Sequence, residues 1–136
     1  MSLDKALFLN PLVIPKYSYS KISSPGDIII NSTGTGTVGR VNILSNELFQ
    51  KYEFIVTDSH VTTIRLIKGL INYLYVYYFL KSPVIYDHAE ARSEGSTNQI
   101  ELYAKKIMGY AIPLPPRHEQ DKIVEKIITI LNYIGD

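Results

Sequence analysis

The stretch GDIIINSTGTGTVGRVNIL, residues 26–44, decides the fold of this chain, because two apolar segments in it flank a glycine-rich one. GDIII (26–30) follows a proline and begins with a glycine, so it predicts a buried strand after a turn. RVNIL (40–44) alternates β-branched and polar residues, which predicts a second strand. Between them, three glycines form the pattern G-x-G-x-x-G, which is typical of either a dinucleotide-binding loop or a turn between strands.

The residues after Gly39 distinguish these two interpretations. A dinucleotide loop needs a helix at this point, because the helix N-terminus holds the pyrophosphate, and an acidic residue about 20 positions further on. Asp58 lies 19 residues after Gly39, but the residues from Arg40 to Leu44 favour a strand over a helix. We therefore favour a loop between strands, whose small hydroxyl residues and arginine suit contacts with phosphates or base edges.

The rest of the chain predicts further short strands and helices, and hence an α+β fold. Runs of β-branched residues indicate the strands, whereas capping residues and closing glycines or prolines indicate the helices. The predicted strands are residues 12–14, 54–57 and 61–67, and the predicted helices are residues 45–52, 70–81 and 100–109.

The helix predicted at residues 70–81 carries four tyrosines, which could stack on bases or pack on a sheet, and we favour packing. Prolines keep the connector at residues 110–116 extended, and a long amphipathic helix follows at residues 117–134. Such a terminal helix packs either on its own domain or on a partner, and the sequence leaves both open. Its isoleucines recur at 4-3-4 spacing and form one stripe: Ile123, Ile127, Ile130 and Ile134.

Composition narrows the class of protein. A chain of 136 residues that is 46% hydrophobic and 20% charged suits one folded domain, and the absence of cysteine excludes disulfides and Cys-based zinc or thiol chemistry. A net charge of +1 neither supports nor excludes nucleic acid. The longest charge-free apolar run, residues 69–80, is shorter than the roughly 20 residues of a bilayer span. We expect a cytoplasmic protein.

No arrangement of side chains predicts catalysis. The three histidines are far apart in sequence and are not at metal-ligand spacing, and neither a Ser-His-Asp set nor paired carboxylates can be argued. His60 and Asp58 form a D-x-H pair that we interpret as incidental. We predict no catalytic residue, no metal and no cofactor.

The C-terminal third resembles a known family. GSTNQIELYAKKIMGYAIPLPPRHEQDKIVEKI, residues 95–127, is similar to the end of a target recognition domain in the specificity subunit of type I restriction–modification enzymes. GDIIINSTGTGTVGRV (26–41) looks like the strand and glycine loop of the same domain, so the resemblance covers roughly residues 25–135. The signature positions are Gly95, Ser96, Gln99, Ile112, Leu114, Pro115, Pro116, Glu119, Gln120, Ile123 and Val124.

This resemblance implies a twisted, mixed β-sheet recognition domain with a few short helices. It would occupy residues 1–116, with an incomplete N-terminal part, and residues 117–136 would begin a spacer helix that forms a coiled coil or dimerisation segment. Such a module is not an enzyme: it reads one half of a bipartite site in double-stranded DNA, while methyltransferase (modification) and restriction subunits supply the chemistry. The helix would join a second recognition domain, or a second copy in a homodimer, and would dock those subunits.

The resemblance also implies where DNA and partners bind. The glycine loop and the loop before residue 100 would meet DNA, with two lysines behind them, and the isoleucine stripe would meet partners. A protein-interaction scaffold that ignores DNA, a nucleotide-binding enzyme fragment and a domain fused to a lone methyltransferase are the alternatives. The expected DNA contacts are Thr33, Thr35, Thr37, Arg40, Arg92, Ser93, Ser96, Thr97, Asn98, Lys105 and Lys106, and the expected partner contacts are Ile123, Ile127, Ile130 and Ile134.

Overall fold

The computed structural model describes residues 7–34, 36–83, 85, 102 and 104–135. Three short strands form an antiparallel sheet in the order β2-β1-β3. With the helices below, this confirms the α+β class, and all strand pairs within the described residues are antiparallel. The strands are β1 (Ile28–Asn31), β2 (Val41–Ile43) and β3 (Val61–Ile64).

The central strand β1 holds the sheet in the core. Ile28 and Ile30 are fully buried on one face, whereas Ile29 on the other face is half-buried. The registers pair Ile28 with Ile43 of β2 and with Ile64 of β3, so apolar residues meet across both ladders. A run of isoleucines suits this position because β-branched side chains pack well on a pleated surface that is covered.

The α-helices lie where the sequence predicts helices, and the last one has the predicted bounds. Two short 3-10 helices precede the sheet, and the other helices follow it or lie between its strands. The 3-10 helices are Pro11–Lys16 and Tyr19–Lys21, and the α-helices are α1 (Asn46–Lys51), α2 (Tyr73–Lys81), α3 (Ala104–Ile107) and α4 (Arg117–Ile134). Residues 110–116 are non-helical, as the prolines predict.

Two predicted strands are wrong. Residues 12–14 lie in a 3-10 helix because Pro11 begins it and the Asn10 side chain accepts a hydrogen bond from the Leu12 amide, at 3.0 Å. Residues 54–57 contribute a single bridge, between Val56 and Ile22. Local capping outweighs β propensity in the first case, and the second run has no strand partner among the described residues beyond that bridge.

Helix α2 covers the sheet and makes the core. Its buried residues Tyr75, Val76 and Leu80 pack with Ile28 and Ile30 of β1. The Tyr75 ring therefore lies in the core, and its hydroxyl donates to the Pro113 carbonyl, at 2.8 Å. Tyr77 and Tyr78 pack against the same cluster, so three of the four tyrosines serve packing, whereas Tyr73 is 42% exposed.

No helix among the described residues is long and apolar enough to cross a bilayer.

The carboxylate of Asp27 joins three parts of the chain. Its side chain is 2% exposed and accepts from the Ser24 amide at 2.8 Å and from Arg65 Nε and Nη2 at 3.0 and 2.7 Å. Arg65 Nη2 also donates to the Ile22 carbonyl, at 2.6 Å. The hydrogen bonds that Arg65 donates to Asp27 raise the pKa of Arg65 above its ordinary value, so the guanidinium stays charged. Strand β3 ends at Ile64, directly before Arg65.

We expect Asp27→Asn to lower the free energy of unfolding by about 2–4 kcal/mol, because it leaves a partly buried guanidinium without its charge partner. Urea denaturation measures this value, and Glu53→Gln, at an exposed position, is the control, with an expected change within about 0.5 kcal/mol. Equal stability of the two variants would contradict the role given to Asp27.

Candidate nucleic-acid interface

The glycine-rich segment is a hairpin loop between β1 and β2. The Gly39 amide donates to the Asn31 carbonyl at 2.8 Å, and the Asn31 amide donates to the Arg40 carbonyl at 2.9 Å, which closes the hairpin. The residues after Gly39 form β2 and not a helix. The dinucleotide interpretation is therefore wrong, because the helix N-terminus that would hold the pyrophosphate is replaced by a strand.

The side chain of Asn31 braces the hairpin from inside. Its Nδ2 donates to the Thr33 carbonyl at 2.7 Å and to the carbonyl and hydroxyl oxygens of Thr37, both at 3.0 Å. The Thr37 hydroxyl in turn donates back to the Thr33 or Gly34 carbonyl. A Cβ on Gly34, whose φ is +94°, would lie 2.7 Å from the Thr37 hydroxyl oxygen, so only glycine fits there. The hairpin is thus preorganised.

The hairpin leaves few groups for a ligand. Arg40 is exposed, and its guanidinium donates to the Gly36 carbonyl at 2.9 Å, which directs the side chain along the loop. Thr33 is half-buried, and the Thr37 hydroxyl is engaged within the loop. Thr35 lies outside the described residues.

A second turn lies beside the hairpin. Because β3 pairs antiparallel with β1, the turn that precedes it, residues 58–60, reaches the same end of the sheet. The Ser32 amide donates to the His60 carbonyl at 2.8 Å, and the Ser32 hydroxyl shares a 2.7 Å hydrogen bond with Thr62. The turn is exposed, so the imidazole of His60 faces solvent next to the hairpin.

The carboxylate of Asp58 fixes the shape of this turn. It accepts from the His60 amide at 3.2 Å and from the Ser59 hydroxyl at 2.9 Å. These hydrogen bonds, the His60 amide first, lower the pKa of Asp58, so it stays ionised at neutral pH. Asp58 therefore organises the turn together with the Ser59 hydroxyl, and both Ser59 and His60 are exposed.

A third segment reaches the same place. The Leu102 amide donates to the Ser32 carbonyl at 2.8 Å, and the Leu102 side chain is fully buried in the core. Lys105 and Lys106 follow on α3 and are exposed, and three residues span at most about 11 Å, so Lys105 stays near the hairpin. The other predicted DNA contacts of this segment, Arg92, Ser93, Ser96, Thr97 and Asn98, lie outside the described residues.

We call this end of the sheet the reading edge; it consists of the hairpin (31–40), the turn (58–60) and Leu102 with the lysines that follow it. It combines cationic, hydroxyl and imidazole groups on preorganised backbone, a mixture that suits phosphate and base-edge contacts. Within the described part of the chain, no group of three or more His, Cys, Asp or Glu residues could hold a metal ion.

Helix α4 begins at the other end of the sheet. The Asn72 amide, at the start of α2, donates to Gln120 Oε1 at 2.9 Å, and the adjacent Tyr73 ring lies against Gly26, just before β1. Gln120 Nε2 donates to the Pro115 carbonyl at 2.8 Å, and the Gln120 side chain is 3% exposed. The chain therefore enters α4 on the side opposite the reading edge.

The isoleucine stripe of α4 is largely open. The helix packs on its own domain through Gln120 and Val124, and Ile127, three positions after Val124, lies at the border of that packed face. Ile127 is half-buried, whereas Ile130 and Ile134 are 51% and 64% exposed. The start of the helix therefore packs on its own domain, while apolar surface further along stays uncovered; Ile123, at 40%, is also exposed.

The sequence interpretation missed two sets of residues. The turn at residues 58–60 shows in the sequence only the D-x-H pair that we interpret as incidental, although its place directly before a strand antiparallel to β1 brings it close to the hairpin. The bracing role of Asn31 gave no sequence signal, because asparagine is common in any turn.

The resemblance carried by the glycine loop and the proline-led helix is confirmed by comparison with known proteins. The chain belongs to the family of type I restriction modification DNA specificity domains, whose model matches residues 12–134. It is also 34% identical, over 126 residues, to a Haemophilus influenzae protein named as a candidate type I restriction enzyme specificity subunit. The match covers 89% of this chain and 28% of the length of that protein.

We expect Asn31→Ala to loosen the hairpin, because three acceptors lose their donor. Amide exchange of Val38 and Gly39, whose amides donate within the hairpin, should accelerate by about tenfold, which corresponds to about 1.4 kcal/mol. Asn46→Ala, at an exposed position on α1, is the matched control and should leave these rates unchanged. Unchanged exchange in Asn31→Ala would contradict the brace.

Proposed function

We propose that this chain is a DNA-reading module of a type I restriction–modification specificity subunit, which reads one half of a bipartite target. It carries no catalytic residues and needs no cofactor; methylation and cleavage belong to the modification and restriction subunits with which it assembles in the cytoplasm. Residues 1–116 act as the recognition domain and residues 117–136 begin the spacer helix.

One observation carries this proposal beyond family membership: three segments distant in sequence meet at one end of the sheet. The Ser32 backbone alone joins the hairpin to His60 and to Leu102. Loops fixed on a scaffold in this way bind with little loss of conformational entropy, which favours recognition over incidental surface structure.

The contacts divide by chemistry. Arg40, Lys105 and Lys106 supply cationic groups for phosphates, and Arg40 also has the geometry to address guanine. Thr33 and Thr35 remain candidate DNA contacts, as do Arg92, Ser93, Ser96, Thr97 and Asn98 of the following loop. Thr37 belongs to the proposed site as a residue that stabilises the hairpin, because its hydroxyl is hydrogen-bonded within the loop. We add Ser59 and His60, which project from the adjacent turn.

Partner binding is assigned to the uncovered face of α4. A second recognition domain, or a second copy of the chain, would cover the isoleucines, because apolar side chains at 4-3-4 spacing pack against a facing helix. The modification and restriction subunits would dock on the resulting helical rod. The stripe consists of Ile123, Ile127, Ile130 and Ile134.

The exposed stripe also favours a second candidate function, a protein-interaction scaffold that does not touch DNA. The two functions differ in their response to salt. Phosphate contacts release counterions, so affinity for a duplex falls linearly with the logarithm of salt concentration, whereas a scaffold shows no such binding.

We expect Arg40→Ala to weaken duplex binding by about 5–20-fold and to reduce the slope of log K against log salt by roughly 0.9 if the contact is to a phosphate. Fluorescence anisotropy with a pool of random duplexes at several salt concentrations measures both. Lys51→Ala removes the same charge from α1, at the opposite end of the sheet, and is the matched control. Equal losses in the two variants, or none in either, would count against the reading edge.

We expect Ile130→Asp to weaken association through α4 by at least about tenfold, since it places a charge in an apolar contact. Sedimentation velocity, alone and with the modification subunit, measures the assembly. Thr129→Asp makes the same charge change at the adjacent exposed position and should have little effect. If Thr129→Asp disrupts assembly and Ile130→Asp does not, the partner surface has been assigned to the wrong face.

A further inference from the structure

We propose that the buried side chain of Gln120 sets the angle at which α4 leaves the recognition domain, and thereby the base-pair separation of the two half-sites that the assembled subunit reads. The second part rests on the proposed function; the first stands on the geometry alone. Gln120 is thus a positioning residue, which acts on DNA only through the helix that carries it.

The side chain of Gln120 joins two separate backbone segments. Its oxygen accepts from the Asn72 amide at the start of α2, and its nitrogen donates to the Pro115 carbonyl in the connector. We call these two hydrogen bonds the Gln120 bridge. Because both partners are backbone groups, the bridge fixes the helix start to the main chain of the domain and not to a mobile side chain.

The other contacts of α4 restrain its direction less. Val124 packs by apolar contact, which has no preferred direction. The hydrogen bonds around Asp121, from Asn72 at 2.6 Å and Arg117 at 2.9 Å, lie at the surface, where ion pairs contribute little. Hydrogen bonds have narrow angular limits, and the bridge is buried, so it dominates the orientation.

Asn72 couples the bridge to α2. While its backbone amide donates to Gln120, its side-chain oxygen caps α2 by accepting from the Leu74 and Tyr75 amides. Helix α2 is itself packed on β1 through the core. The direction of α4 is therefore fixed, through α2, relative to β1, the strand that ends at the reading edge.

A small change of angle would have a measurable effect on DNA. The 14 residues from Gln120 to Ile134 extend about 21 Å, so a tilt of about 10° displaces the far end by roughly 4 Å. One base-pair step is about 3.4 Å. Loss of the bridge would thus shift or broaden the preferred spacing by about one base pair.

The orientation is tested by a distance measurement. The chain has no cysteine, so Glu53→Cys and Asn132→Cys, both at exposed positions, place two spin labels on the body and on the far part of α4. Gln120→Met keeps the length of the side chain and removes both hydrogen bonds. We expect its distance distribution to shift or broaden by roughly 3–5 Å, whereas Lys122→Met, on the exposed face, reproduces that of the parent chain.

The consequence for DNA is tested in the assembled subunit. Half-sites chosen by selection from random duplexes are joined by spacers of varied length. The parent should prefer one spacing, and Gln120→Met should reduce that preference by about tenfold while its affinity for a single half-site stays within about twofold. If Gln120 had only a structural role, Gln120→Met would lower the affinity for a single half-site and for joined half-sites alike. The preferred spacing would stay unchanged, and this result would overturn the proposal.

The outcomes separate the two proposals. If the parent chain binds no duplex, the proposed function fails and the spacing role fails with it. The distances between the spin labels still test whether Gln120 sets the orientation of α4. If Gln120→Met does not fold, Gln120→Glu serves, because it keeps the acceptor for Asn72 and loses the donor to Pro115. Distance distributions identical to the parent in the variant that folds would overturn the role of the bridge.

Discussion

The buried carboxylate of Asp27 is the constraint on which the sheet depends. It stands directly before β1, and its partner Arg65 stands directly after β3, so one ion pair fixes the register of the central strand against an edge strand. The same pair holds the preceding segment through Ser24 and Ile22. A strand of four residues has few ladder bonds of its own, and the pair adds directional contacts that apolar packing lacks.

This constraint lies at one end of the sheet and the reading edge lies at the other. The end near Asp27 also receives the start of α2 and, through Asn72, the start of α4. The far end carries the hairpin and the turn that Ser32 joins, which are braced by their own amide and carboxylate side chains, Asn31 and Asp58. The contacts that stabilise the sheet and the loops proposed to bind DNA thus lie at opposite ends of the strands. The loops can therefore change in sequence without loss of the sheet.

The sequence predicted those parts of the molecule in which local pattern and tertiary environment agree. β-Branched residues after Gly39 correctly indicated a hairpin, and the prolines before Arg117 correctly placed the last helix. The prediction failed at residues 12–14, where a cap from Asn10 competes with β propensity. Capping and propensity have similar magnitudes, so a run of three residues cannot decide between them.

The candidate site was less predictable, because its geometry depends on contacts distant in sequence. Gln120 and Asn72 are 48 residues apart, and Ser32 meets Leu102 across 70 residues. The spacing of apolar residues along the sequence does not indicate contacts between residues so far apart. The family resemblance indicated the glycine loop and the loop before residue 100 as DNA contacts, whereas the turn at residues 58–60 became apparent only from the pairing of β3 with β1.

The central claim, that the hairpin end of the sheet faces DNA, is tested most directly by amide hydrogen exchange with and without a pool of random-sequence duplexes at low salt. The account predicts slower exchange at residues 36–40, 58–60 and 104–106, and no change around Asn72 and Gln120 at the opposite end. Protection confined to that opposite end, or no protection at any salt concentration, would contradict it.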